Sequence, residues 1–85
     1  MRYFVYILYS ATANRYYKGQ TMDLTRRLAK HNAGREKSTA PYQPWKLVWY
    51  IEKPSRAAAM KLERYLKQLS GERIRQFLLR YPIKE

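Results

Sequence analysis

The stretch from Arg15 to Asn32, RYYKGQTMDLTRRLAKHN, crowds two tyrosines, a glycine, an arginine pair and the chain's single histidine into one short segment. Each type carries its own chemistry. Arginine presents a rigid fork of donors that matches phosphate or carboxylate oxygens. An imidazole near a helix end either packs and favours the helix C-terminus, or contacts phosphate and shuttles a proton. Further on, Glu63 is notable because acidic residues are scarce. The others, Asp23, Glu36, Glu52, Glu72 and Glu85, read as cap, loop, strand-end, helix-start and terminal residues. A hard divalent cation such as Mg²⁺ needs oxygen ligands, and Glu63 is the one carboxylate placed mid-helix beside an apolar stripe. Its alternative reading is an i, i+4 ion pair with Lys67.

Helical geometry separates the neighbours. At 100° per residue, Leu24 and Leu28 fall about 40° apart and define a buried stripe. His31 lies about 20° to one side of Leu24, and Arg27 about 60° to the same side. Arg26 points nearly opposite. Arg27 and His31 therefore share a flank towards the core, while Arg26 faces solvent. On the later helix, Ala59, Leu62 and Leu66 make the stripe, with Glu63 about 60° from Leu66 and about 40° from Ala59. Each of these residues also has a plain packing or boundary reading, in which an arginine stem covers apolar surface and tyrosines fill a pleated, half-buried sheet.

Other site chemistries are missing from the sequence. It has no cysteine, no paired carboxylates, no Cys/His cluster and only three glycines, so thiolate metal sites and phosphate-cradling glycine loops are excluded. Neither serine nor threonine has a recognisable His/Asp partnership.

The elements that must position these groups follow from patterning. Tyr3 to Tyr9 is apolar and aromatic with β-branched members, which predicts a strand covered on both faces. Ser10 to Asn14 is a turn, and Arg15 to Gly19 returns as a second strand of a hairpin. Thr21 or Asp23 caps a helix running to about Asn32, stopped at Ala33-Gly34. Arg35 to Pro44 (REKSTAPYQP) reads as a basic loop whose length suggests a functional or mobile segment. Trp45 to Glu52 is a third strand. Ser55 caps a helix through about Leu69, and Ser70-Gly71 precedes a last helix with Ile74, Phe77, Leu78 and Tyr81 on one side. The order β-β-α-β-α-α predicts an α+β fold, a small three-stranded, mostly antiparallel sheet packed with helices.

Residues 1–85 read as a single domain, with 46% hydrophobic and 15% aromatic residues, enough for one modest core. Eighteen Lys and Arg against six Asp and Glu give +12 at pH 7, which predicts attraction to polyanions and strong salt dependence. The start imitates a signal peptide, with Ala11-Thr12-Ala13 after an apolar run, but that run is short and holds three tyrosines. No segment approaches the ~18 apolar residues of a membrane span. With no cysteine, a cytoplasmic protein is the expectation.

The ordered set carries a resemblance that no single residue does. Phe4-Val5-Tyr6 in a first strand is followed by Tyr17-Lys18-Gly19 in a second, Arg27 and His31 in the next helix, and Glu63 in a helix after a third strand. The chain resembles the GIY-YIG nuclease superfamily over nearly its whole length. It is most similar to small stand-alone bacterial members related to the nuclease domain of the excision-repair incision subunit. Phe4 replaces the first glycine of the signature, and Lys18 the middle residue of the second motif.

That resemblance implies hydrolysis of phosphodiesters in DNA with one divalent metal, Mg²⁺ or Mn²⁺. Glu63 would anchor the cation, Arg27 would neutralise charge on the phosphoryl oxygens, and Tyr6 and Tyr17 would orient or deprotonate the attacking water. Gly19 would admit close backbone approach, and His31 would be a helper contact to phosphate. Lys18, Arg35, Lys37 and Tyr42 are candidates for tracking the nucleic-acid backbone, with Tyr42 or Trp45 as a stacking surface. Expected partners are DNA, or alternatively RNA, and another protein that supplies specificity, with no membrane and no small-molecule cofactor. The expected location is the bacterial cytoplasm, at the nucleoid. The alternative function is a nucleic-acid-binding module that keeps the fold and cuts poorly or not at all.

Overall fold

The computed structural model describes residues 2–83, so Glu85, the terminal carboxylate, lies outside them. Three strands, β1 (Tyr3–Ser10), β2 (Arg15–Thr21) and β3 (Lys46–Lys53), form an antiparallel sheet in the order β2-β1-β3. Three α-helices accompany it: α1 (Leu24–Asn32), α2 (Arg56–Lys67) and α3 (Gly71–Arg80). A short 3₁₀ turn at Ala40–Tyr42 interrupts the loop before β3. The fold is α+β in the order expected.

Local chemistry sets the element ends. Asp23, Ser55 and Ser70 each accept the backbone N–H three residues on, from Arg26, Ala58 and Arg73, which satisfies one orphan donor at each helix start. Gly34, at φ +73°, takes the left-handed conformation just past α1. Asn14 takes it in the hairpin turn, where its carboxamide oxygen accepts the Tyr9 hydroxyl at 2.9 Å.

The central strand is buried on both faces because its side chains alternate between two helical layers. Val5 and Ile7 pack with Trp49, Ala59, Leu66 and Ile74 beneath α2 and α3. Tyr6 and Leu8 point the other way, into a cluster with Trp45, Tyr17, Leu24 and Leu28 beneath α1. A bulge opposite Ile7/Leu8 inserts Val48 into β3 and lets both Val48 and Trp49 face the α2/α3 layer. Among the described residues, no helix is long and apolar enough to cross a membrane.

Candidate active site

The hairpin register builds the floor. Tyr6 on β1 lies directly opposite Gly19 on β2, and Leu8 opposite Tyr17, so both tyrosines and the glycine share the α1 face. The two tyrosine rings are 6.2 Å apart between centroids. A Cβ at Gly19 would come within 2.6 Å of the Tyr6 hydroxyl and 3.1 Å of the Tyr17 ring. Real Cβ atoms do not come as close as the 2.6 Å to the Tyr6 hydroxyl, so glycine is what lets the Tyr6 ring cross β2. The need is steric, because Gly19 is not among the positive-φ residues.

α1 closes over this floor and brings two more groups. Arg27 donates from Nε to the Tyr6 hydroxyl at 3.4 Å. His31 places Nε2 at 3.1 Å from the same hydroxyl and Nδ1 at 2.9 Å from Oγ1 of Thr39. Its ring meets the Tyr17 ring edge-on at 4.8 Å. Five of the residues singled out from sequence, Tyr6, Tyr17, Gly19, Arg27 and His31, thus converge. Arg26 is exposed and Arg27 half-buried, as the helical phase requires.

Burial sets the electrostatics. Desolvation pushes the Tyr6 phenol up to about 12, against the lowering effect of the Arg27 hydrogen bond. A phenol with that pKa keeps its proton at neutral pH. Desolvation, helped by the nearby Arg27 charge, pushes the His31 ring below its ordinary value, so it stays neutral. Arg27 is held more firmly charged by its bond to Tyr6. Its Nη1 reaches Glu36 at only 3.7 Å, while Lys30 makes the shorter contact at 3.3 Å. Among the described residues the rest of the Arg27 fork has no partner, and it can meet a further anion.

The remaining candidates are placed differently. Glu63 belongs to α2, in the layer across the sheet, at the β2 edge. There it accepts from Gln20 Nε2 at 2.8 Å and Lys67 Nζ at 2.9 Å. Among the described residues it shares no hydrogen bond with Tyr6 or Tyr17, and its charge is a small contribution raising the Tyr6 pKa. Lys18, opposite Ile7, also faces the α2 side, and burial and the Lys67 charge lower its pKa. Arg35 and Lys37 are exposed on the loop. Tyr42 packs edge-on against Trp45 and lies 4.5 Å beneath the Arg15 guanidinium. Trp45 is buried and donates its indole N–H to the Thr39 carbonyl, so it is not a stacking surface.

Sequence reasoning missed Thr39, Gln20 and Asn32. Thr39 is a buried residue of the loop, where no periodicity marks it. Asn32 grips the Trp45 backbone twice, accepting its N–H at 2.6 Å and donating to its carbonyl at 3.0 Å. These contacts tie down the loop whose length suggested a functional or mobile segment.

Among the described residues no three acidic or histidine side chains converge on a metal position. Glu63 lines an open cleft of about 320 Å³ with Gln20, Met60, Arg64, Lys67 and Gln68. A lone carboxylate beside open space fits a hard cation that keeps water and takes substrate oxygens. Lys67, largely exposed, can swing away from the second carboxylate oxygen.

The model of the GIY-YIG catalytic domain matches residues 2–76. This chain belongs to the GIY-YIG family. It is 38% identical to a UPF0213 protein of Listeria welshimeri over 78 residues, 91% of this chain and 86% of that protein. A UPF0213 protein of Yersinia enterocolitica is 34% identical over 76 residues, 88% of this chain and 78% of that one. The solution NMR structure of the UPF0213 protein BH0048 from Bacillus halodurans superposes with a TM-score of 0.63 at 34% identity, covering 96% of this chain and 87% of that one. This GIY-YIG domain is therefore of a nuclease family, whose substrate is nucleic acid and whose members generally use a divalent metal.

Proposed function

We propose that this GIY-YIG protein is a divalent-metal-dependent DNA endonuclease that hydrolyses phosphodiester bonds, nicking or trimming damaged, branched or single-stranded DNA. The observation that carries the reading is the convergence of Tyr17, Gly19 and the Arg27–Tyr6–His31 hydrogen bonds on one face of the hairpin. Pure nucleic-acid binding would not require this buried polar network.

Roles follow from exposure and partners. Arg27 offers the free part of its fork to the phosphoryl oxygens, where negative charge grows during attack. Tyr17 is only half-buried, and its hydroxyl has no hydrogen-bond partner among the described residues, so it is the phenol available to orient a water molecule. Tyr6 is buried and committed to His31 and Arg27; it holds the arginine rather than the water. Because the His31 ring is buried, it acts through Tyr6 and not on phosphate. Glu63 would hold the cation, Mg²⁺ or Mn²⁺, which when bound polarises the phosphate and steadies the leaving 3′ oxygen. The water oxygen forms the new bond to phosphorus, the bond to the 3′ oxygen breaks, and solvent takes and supplies the protons. The charge of +12, with Lys18, Arg35 and Lys37, supports binding along the DNA backbone and residence at the nucleoid.

The test is cleavage of supercoiled plasmid and single-stranded DNA by wild type, Arg27→Ala and Glu63→Ala, with Mg²⁺ or Mn²⁺ and with chelator. Each substitution should slow cutting by about 10²–10³-fold, the scale of losing one group that stabilises transition-state charge. DNA binding should largely survive. Equal, metal-independent cutting by all three proteins would sink the nuclease reading.

A further inference from the structure

Thr39 was not among the residues singled out by sequence, yet it is buried and touches the one histidine of the chain. The direction of that contact decides more than its length. Tyr6, Arg27, His31 and Thr39 form one chain of hydrogen bonds that has two possible polarities. In the first, Thr39 donates its hydroxyl to the Glu36 carbonyl at 3.3 Å and accepts the Nδ1–H of His31. Nε2 then carries a lone pair and accepts the Tyr6 hydroxyl, whose oxygen accepts from Arg27. Every donor has an acceptor. In the second, Thr39 donates to Nδ1 and Nε2–H donates to Tyr6. The Tyr6 oxygen then faces two donors, Nε2–H and Arg27 Nε, and its own proton has no acceptor among the described residues. Tyr6 is buried, and an unmatched buried hydroxyl is costly. The first polarity wins.

We infer that Thr39 is a positioning residue: by holding His31 in the Nδ1–H tautomer it turns the Tyr6 hydroxyl towards His31 and leaves the Tyr6 oxygen to anchor Arg27. The tautomer of a histidine is set by the bond its other nitrogen makes, and here that bond is to Thr39. The charged and titratable groups facing the ring are Tyr6 from β1, Tyr17 from β2, Arg27 and Lys30 from α1, and Glu36 from the loop. None but Tyr6 and Thr39 hydrogen-bonds a ring nitrogen among the described residues. Protonation of His31 would add Nε2–H and impose the unfavourable polarity, so the anchor of Arg27 weakens in acid. The catalytic importance of that anchor rests on the nuclease reading above; the tautomer does not.

The test uses the intact chain with Thr39→Val, which removes the hydroxyl at similar volume, and Thr39→Ser, which restores it. With one histidine in the sequence, the ring ¹⁵N shifts report a single tautomer. Wild type and Thr39→Ser should show Nδ1–H, with the Arg27 Nε–H slow to exchange with solvent. Thr39→Val should move towards Nε2–H, speed Arg27 Nε–H exchange, and slow cutting on the order of 10-fold by misplacing the arginine while DNA affinity changes little. An Nε2–H tautomer in wild type overturns the inference. So does Thr39→Val with an unchanged tautomer, or with an unchanged Arg27 Nε–H. Should Thr39→Val fail to fold, the wild-type and Thr39→Ser spectra decide the tautomer. Should no variant cut DNA, the spectra still decide the hydrogen-bond polarity, and the failure belongs to the nuclease reading.

Discussion

The two faces of β1 solve the burial problem in opposite ways. Towards α2 and α3, Val5 and Ile7 meet Ala59, Leu66 and Ile74, all fully buried and apolar. That side is held by shape and exclusion of water. Towards α1, Tyr6 sits equally deep but carries a hydroxyl, and its neighbours are an imidazole, a guanidinium and a threonine hydroxyl. Such a face is stable only while each polar group keeps its partner, since an orphaned one costs about 1–3 kcal/mol. One face keeps the fold together, and the other spends part of its stability on a defined polar arrangement. Glu63 belongs to the apolar side's helix and sits at the β2 edge, where it accepts from Gln20 and Lys67.

Substitutions can break this division. The largest effect on stability should come from Leu66→Ala on the apolar face, about 2–5 kcal/mol, read as a lowered denaturant midpoint. The folded fraction should still show the wild-type His31 tautomer and cut at the wild-type rate. A tautomer change would mean that the two faces are not separable. Gly19→Ala, on the polar face, should cost less, about 1–3 kcal/mol for overpacking, but should also slow cutting. The added Cβ strikes the Tyr6 ring end, which cannot yield without giving up His31 or Arg27. Normal cutting by a stable Gly19→Ala protein would show that the crossing of Tyr6 over β2 is dispensable.

Acid should produce the smallest effect, confined to the α1 side. The folded pKa of His31 is lowered from 6.5, so below that value the unfolded chain binds more protons and stability falls with pH. The loss begins as pH drops through 6.5, grows until the lowered folded pKa is passed, and then levels off. Urea unfolding at pH 8 and pH 5.5 should show it in wild type, and His31→Gln should flatten it. An equal slope in both proteins would place the acid sensitivity elsewhere.

Much of this was legible in the residues themselves. The cap at Ser55, the choice of Thr21 or Asp23 that the structure settles on Asp23, the break at Ser70-Gly71, the stop at Gly34 and the order of elements are local: each depends on side chains within a few positions of the backbone they satisfy. The helical phase that favoured Arg27 over Arg26 is likewise a property of spacing alone. What escaped was non-local. Thr39 lies in a loop without period, and its importance comes from meeting His31 across eight residues. Trp45 was, with Tyr42, one of two candidate stacking surfaces, but Asn32 and Thr39 hold it inside.

The sequence by itself therefore determined the strands, the helices and their capped ends, the charge that draws the molecule to polyanions, and the residue types able to handle a phosphate. These are set by short-range sterics, hydrogen bonding and periodicity. Only the tertiary structure decided that Tyr6 lies opposite Gly19, that its hydroxyl joins His31 to Arg27, that Thr39 stands behind the histidine, and that Glu63 sits across the sheet with Gln20 and Lys67. Those relations arise from strand register and from helices closing on opposite faces, and register becomes fixed only when both faces find their partners at once.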